Sequence, residues 1–122
     1  MTFNSEEIIR DIRAEFDQML EFVTGEAART ATADQIERGL FKQLLALGAK
    51  LLQLFFVVRA RVYPRTALQL ADGQELPHHD EKARSYYSIF GKLAFERPYF
   101  YKQGRGGQSP LDAELTPLRV GR

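Results

Sequence analysis

The sequence predicts an α+β chain: two N-terminal amphipathic helices, the second one long, followed by β-hairpins and a short C-terminal helix stub. Three observations carry this expectation. The first 63 residues contain no proline and hold two capping signals, each followed by apolar residues at helical spacing. After Tyr63-Pro64-Arg65 the chain changes to short runs rich in aromatic residues, punctuated by Asp-Gly and Gly-Lys. Near the end, Ser109-Pro110 has the form of a helix start, with proline at the first helical position.

Helix one is announced by Asn4 with Glu7 three residues on, acids placed favourably in the first turn. Ile8, Ile12, Phe16, Met19 or Leu20, and Val23 recur on one face, and Gly25 is the stop signal, giving a helix over about 5–24. Thr32 and Gln35 repeat the capping pattern, and the second helix is expected over about 33–62, since Pro64 is the first breaker. Along it Leu40, Leu44, Leu47, Leu51, Leu54 and Val58 form one seam, with Phe41, Leu45, Gly48, Leu52 and Phe55 beside it. Two adjacent seams make an apolar face wide enough to touch helix one and something further. The first seam is therefore the candidate oligomer interface, with an intramolecular core as the alternative.

Residues 64–115 read as the β-hairpin region. Leu68, Leu70, the turn Ala71-Asp72-Gly73-Gln74 and Leu76 suggest a small hairpin that Pro77 ends. His78-His79-Asp80-Glu81 has metal-ligand residue types, but adjacent residues cannot all converge on one ion, so a solvated loop is expected. A larger hairpin follows: strand residues Tyr86, Tyr87, Ile89 and Phe90, a reversal at Gly91-Lys92, and a returning strand from Leu93 to Tyr101. Pro98 in that strand requires an edge or a bulge. Leu93, Phe95, Arg97, Tyr99 and Tyr101 share one face by period two, and most such aromatics form core. Gly104-Arg105-Gly106-Gly107 is a basic glycine loop, and Ser109 opens a helix stub whose amides face a phosphate or solvent. Residues 116–122 form an irregular tail.

Composition bounds the function. A chain of 122 residues with 44% hydrophobic and 27% charged residues is one domain or slightly more, and it buries roughly two thirds of its unfolded surface. The absence of cysteine excludes disulfides, thiolate zinc sites and cysteine nucleophiles. The N-terminus lacks the pattern of a signal peptide, and Leu51–Val58 is far short of the ~20 residues of a membrane span, so a cytoplasmic protein is the default. No cofactor, membrane partner or small-molecule substrate is expected.

The net charge of +1 conceals polarity. Residues 1–31 hold seven acids against three arginines, net −4; residues 32–65 are net +4; residues 82–107 hold six bases against Glu96 alone, net +5. Such a distribution steers a phosphate backbone toward the basic part, or lets the acidic helix neutralise its neighbour inside the fold. Arg84, Lys92, Arg97, Lys102 and Arg105 are the candidate nucleic-acid contacts. The acids of helix one fall on its solvent side, which argues against a paired-carboxylate catalyst.

Taken together, FNSEEIIRDIRAEFDQMLEFVTG, TADQIERGLFKQLLALGAKLLQLFF and YSIFGKLAFERPYFYKQGRGGQSPLDAEL make the chain resemble the N-terminal region of bacterial insertion-sequence transposases of the Kra type. The most specific part runs from Phe90-Gly91-Lys92 through Arg97-Pro98-Tyr99 to Pro110-Leu111-Asp112. The resemblance implies a DDE-type transposase whose catalytic acids, on a ribonuclease H-like fold, lie downstream of these residues, so that no catalytic activity is expected here. It implies DNA at insertion-sequence ends as partner, together with a second copy or full-length transposase. Relatives often carry cysteine pairs at the hairpin, as in a zinc ribbon; this chain has none, and no zinc is expected. The closing TPLRVGR departs from the family pattern and reads as a truncated or frame-shifted end. Two other readings remain: a self-associating regulator of transposase without nucleic-acid binding, and a decayed remnant.

Overall fold

The computed structural model describes residues 4–63 and 65–115; the expected tail at 116–122 and the breaker Pro64 lie outside the described residues. Helix α1 (Ser5–Thr24) begins as expected: the Asn4 side chain accepts from the backbone amides of Glu6 and Glu7. Gly25 does end it, but in extended backbone (φ −74°) and not in the left-handed conformation of a glycine cap. A 3₁₀ turn over Glu26–Arg29 leads to α2 (Ala33–Ala60), where Thr32 and Gln35 form a complete capping box. Helix α2 stops two residues before the expected end: the Arg61 and Val62 amides donate to the Val58 and Arg59 carbonyls in 3₁₀-type bonds, and Arg65 reaches back to donate to the last turn. The Arg65 guanidinium donates to the carbonyls of Ala60 and Tyr63 and pairs with Glu81 across the junction, at 2.8 Å.

Four antiparallel strands follow in the order β1-β2-β3-β4: β1 (Ala67–Gln69), β2 (Glu75–Ser88), β3 (Gly91–Lys102) and β4 (Gly106–Gln108). Helix α3 (Pro110–Leu115) closes the described chain. The first hairpin turns at Asp72-Gly73, with Gly73 at φ +86°, as its Asp-Gly signal predicts. Pro77 does not end it. Pro77 pairs with Ala67, and β2 continues through the residues expected to be a solvated loop, His78 to Glu81, because the long partner strand β3 supplies a ladder for them. His79 is the extra residue of a bulge between His78 and Asp80.

The larger hairpin turns two residues earlier than expected. Ser88 pairs with Gly91, so Ile89-Phe90 form the loop and Gly91 (φ +111°) begins β3. The Ser88 hydroxyl fastens this reversal, accepting from the Phe90 amide and donating to the Gly91 carbonyl. At Pro98 only β2 is paired; β4 joins β3 from Phe100 onward, so the proline sits where one side of the strand has no ladder.

Burial along β3 changes face. Leu93 and Phe95 are buried at the tip end, whereas Pro98 and Phe100 are buried at the other. The bulge at His79 brings His78 and Phe100 together on the second face, their rings 5.7 Å apart edge to face. The main core joins α2 to the hairpin: Phe56 and Ala60 pack with Leu93, Phe95 and Leu111, with Leu52 and Tyr86 at its margin. Phe56 stacks on Phe95 at 4.3 Å and is tilted against Tyr86 at 5.1 Å.

Two glycines inside α2, each costing ~1 kcal/mol of helix propensity relative to alanine, have a packing reason. Gly39 lies under the Phe22 ring of α1 and Gly48 under the Phe90 ring of the hairpin tip. The side chain absent from Gly48 is what lets the hairpin reach the helix. Replacing Gly48 by leucine is therefore expected to destabilise the fold by about 1–2 kcal/mol in urea unfolding, the overpacking cost exceeding the propensity gain. An unchanged or higher midpoint would show that Phe90 is not held against the helix.

Candidate nucleic-acid interface and helix face

The five expected nucleic-acid contacts do not form one surface. Arg84 and Arg97 lie on the same face of the β2–β3 ladder as Tyr86, Leu93 and Phe95, pointing at the first turn of α3. Arg97 binds Asp112 in a two-pronged pair at 3.1 Å and donates to the carbonyls of Lys82 and Ala83 at 2.9 and 3.0 Å. Arg84 reaches the same carboxylate at 2.8 Å. Only 13% and 14% of the two arginine side chains are exposed, and the donors of Arg97 are largely satisfied inside the protein. Their expected role as phosphate contacts gives way to a structural one: they fasten α3 to the sheet. Asp112, read from the sequence only as part of a helix start, is the anchor.

The helix stub differs from its expected form in another respect. Pro110 opens it, and the Asp112 amide donates to the Ser109 carbonyl, but the Ser109 hydroxyl is buried without a hydrogen-bond partner and caps nothing. Its far end is tied to α2. Glu114 accepts from the Tyr63 hydroxyl and pairs with Arg59 at 2.6 Å. Burial, then the adjacent Glu114 carboxylate, pushes the Tyr63 phenol up to about 12. The Tyr63 hydrogen bond, then that of Arg59, holds Glu114 below the ordinary glutamate range.

The other three expected bases are open. Lys92 sits beside the hairpin tip, its ammonium 5.7 Å from the Tyr87 ring centroid. Lys102 is exposed at the end of β3, and Arg105 occupies the following turn, paired with Asp72 of the first hairpin at 2.8 Å. The Gln74 amide, then Arg105, lowers the Asp72 carboxyl below its ordinary value. The glycine run is not a free loop: Gly106–Gln108 is strand β4, and Gly104 (φ +89°) and Gly106 (φ +84°) supply the positive dihedrals of a third tight reversal.

Lys82, absent from the expected contacts, joins this region. Its ammonium lies 4.0 Å from the Tyr99 ring centroid, the closest cation–ring approach among the described residues. Tyr99 and Tyr101 are stacked at 6.5 Å, and His79 lies 6.0 and 5.4 Å from them. The expectation that these aromatics are core therefore holds for Phe95 and fails for Tyr101, which is 40% exposed. Period two placed Tyr99 and Tyr101 with Arg97 correctly. Lys82 was legible only once the hairpin register set it opposite Arg97. Among the described residues no group of three or more His, Cys, Asp or Glu side chains is placed to hold a metal ion.

The candidate oligomer residues divide by helical phase. Leu40, Leu47 and Leu54 are half-buried, whereas Leu44, Leu51 and Val58 are exposed. From the second seam Phe41 and Phe55 are also exposed, while Leu52 and Gly48 face the sheet. On α1, Phe16 and Leu20 are about half exposed. The two helices thus share one apolar stripe, with a groove of about 430 Å³ lined by Ile9, Ile12, Phe16, Leu51 and Leu54 and bordered by the charged Arg13 and Asp17. As a whole α2 is long and apolar enough to cross a membrane, although Leu51–Val58 alone is not. It packs against α1 and β3, holds Glu15 of α1 through Lys50 at 2.7 Å, and donates from Gln53 to the Ala94 carbonyl.

The chain matches no protein-family model, no curated protein and no solved structure.

Replacing Asp112 by alanine leaves two largely buried arginines without their carboxylate. The expected loss is roughly 2–3 kcal/mol in urea unfolding, less than for a fully buried pair because a quarter of the carboxylate is open to water. Acid has a second signature. Glu114 and Asp72 are lowered in the folded state, so their stabilisation is fully present above the ordinary carboxylate range and is lost as pH falls through their lowered values. Glu114→Gln is expected to flatten the decline in stability below about pH 4. A pH profile identical to wild type would exclude the Tyr63–Glu114–Arg59 tie as its source.

Proposed function

We propose that this chain is the non-catalytic front end of an insertion-sequence transposase, a cytoplasmic module that joins copies of itself through α1 and α2 and touches element-end DNA through the far end of its sheet. Strand cleavage belongs to acids that the resemblance assigns to other sequence. The observation that carries the association is the apolar stripe: Phe16, Leu20, Phe41, Leu44, Leu51, Phe55 and Val58 are each 44–64% exposed. With side chains of ~150–250 Å² for the aromatic members, the stripe offers on the order of 800 Å², the size one partner contributes to a standard interface. A second copy is the occupant of this reading, because an isologous pair sets the same apolar stripe against itself over an area of that size.

A second reading is favoured by Arg84 and Arg97, which are largely buried and paired with Asp112: a self-associating regulator with no nucleic-acid role. Sedimentation and DNA titration separate the two. The expected result is a dimer that Leu51→Glu with Leu44→Glu converts to a folded monomer, together with binding of duplex element ends that weakens at least tenfold between 50 and 200 mM salt, as roughly two phosphate contacts or more require. A dimer without DNA binding at low salt favours the regulator. A wild-type monomer that floats with lipid vesicles would refute the association and assign the stripe to a membrane surface instead.

A further inference from the structure

We propose that the far end of the sheet is a base-stacking platform for single-stranded DNA, formed by His79, Tyr99 and Tyr101 and flanked by Lys82, Lys102 and Arg105. The inference rests on the DNA reading above and specifies the form of the strand. Along the face of β3 that carries Leu93 to Tyr101, α2 covers the tip end at Leu93 and Phe95, and α3 covers Arg97 through Asp112. Tyr99 and Tyr101 are the next two residues on that face, and Tyr101 is 40% exposed. The bulge adds His79 beside both rings, at 6.0 and 5.4 Å.

Two details keep the platform open. Tyr101 pairs with Gly107 of β4, and the Tyr99 hydroxyl occupies the place of a Gly107 side chain, so this position must be glycine for the phenol to lie across the strand. The neighbouring turn, Gln103 to Arg105, has glycine at its centre, so Gly104 adds no side chain beside the rings. The ammonium of Lys82 lies over Tyr99 at 4.0 Å, where it holds the ring and offers a charge to a phosphate beside it. Lys102 follows Tyr101 directly, and Arg105 stands in the turn beyond.

Charge decides in favour of stacking. Lys82, Lys102 and Arg105 are opposed by Asp72, which pairs with Arg105, and by Asp80, the exposed register partner of Tyr99. The surplus is a single positive charge, too little for tight duplex binding by phosphate contacts alone. Stacking is insensitive to sequence and adds to each base laid on a ring, but it requires bases free of their own stack. A single strand meets that requirement and a duplex does not.

The test uses the whole chain, a short oligo(dT) and a duplex of equal length, read by anisotropy of a labelled strand and by quenching of tyrosine fluorescence, since the chain has no tryptophan. Oligo(dT) is expected to bind more tightly than the duplex, with a log–log salt slope of about −2 from the three flanking cations. Tyr101→Ala is expected to weaken oligo(dT) binding roughly tenfold, whereas Tyr101→Phe retains it, because the ring and not the hydroxyl is used. Circular dichroism of both variants confirms the fold. Duplex binding equal to or tighter than oligo(dT), or a folded Tyr101→Ala with unchanged affinity, overturns the platform and leaves the DNA reading standing. Absence of binding to either strand form at low salt overturns both.

Discussion

The stack of Phe56 on Phe95 joins the helical half of this protein to its sheet, and most other features are arranged around it. Phe56, Val57 and Ala60 are the only buried residues that α2 presents among its described positions, and all lie near its C-terminal end. A helix of 28 residues, about 42 Å long, is therefore seated on the hairpin by its last third. Gly48 lets the hairpin tip close against it about two turns before Phe56, and Gln53 ties it to the β3 backbone. The N-terminal half of α2 is left with α1 as its partner. An apolar stripe on both helices follows from that geometry.

Around the aromatic contact, charge is arranged to hold the small C-terminal elements in place. Arg65 bridges the end of α2 to β2, Arg59 and Tyr63 hold Glu114, and Arg84 with Arg97 hold Asp112. A six-residue helix has little cohesion of its own, so these ties and the burial of Leu111 decide its position. Part of the basic surplus seen along the chain is thus internal, and Lys50 meets an acid of α1 in the same manner. At the far end of the sheet Lys82 and Lys102, with Arg105 shared with Asp72, are left to meet an external polyanion.

The two proposed surfaces lie on different elements, the stripe on α1 and α2 and the platform on β2 and β3. Neither obstructs the other. Pairing through the helices would present two platforms at once, and linked weak sites gain affinity through effective concentration without any new contact. A platform with one surplus charge and two stacked rings is the kind of site that benefits from such pairing.

Local chemistry made much of this fold legible. Asn4, the Thr32–Gln35 box, Asp72-Gly73 and Pro110 each act through groups within four residues, and each marks the element that forms. Three aspects depended on distant partners. Residues His78 to Glu81 became strand because β3 lay alongside; Arg84 and Arg97 turned inward because Asp112 arrived beneath them; and Tyr101 stayed exposed because β4 offers it a glycine. Sequence periodicity assigns residues to a face but does not say which stretch of that face another element will cover. By itself the sequence determined the α+β class, the helix starts and the wide apolar face. Only the tertiary structure decided which cations and aromatics remain open to a partner, because a side chain's exposure is set by the elements packed over it and not by its neighbours in the chain.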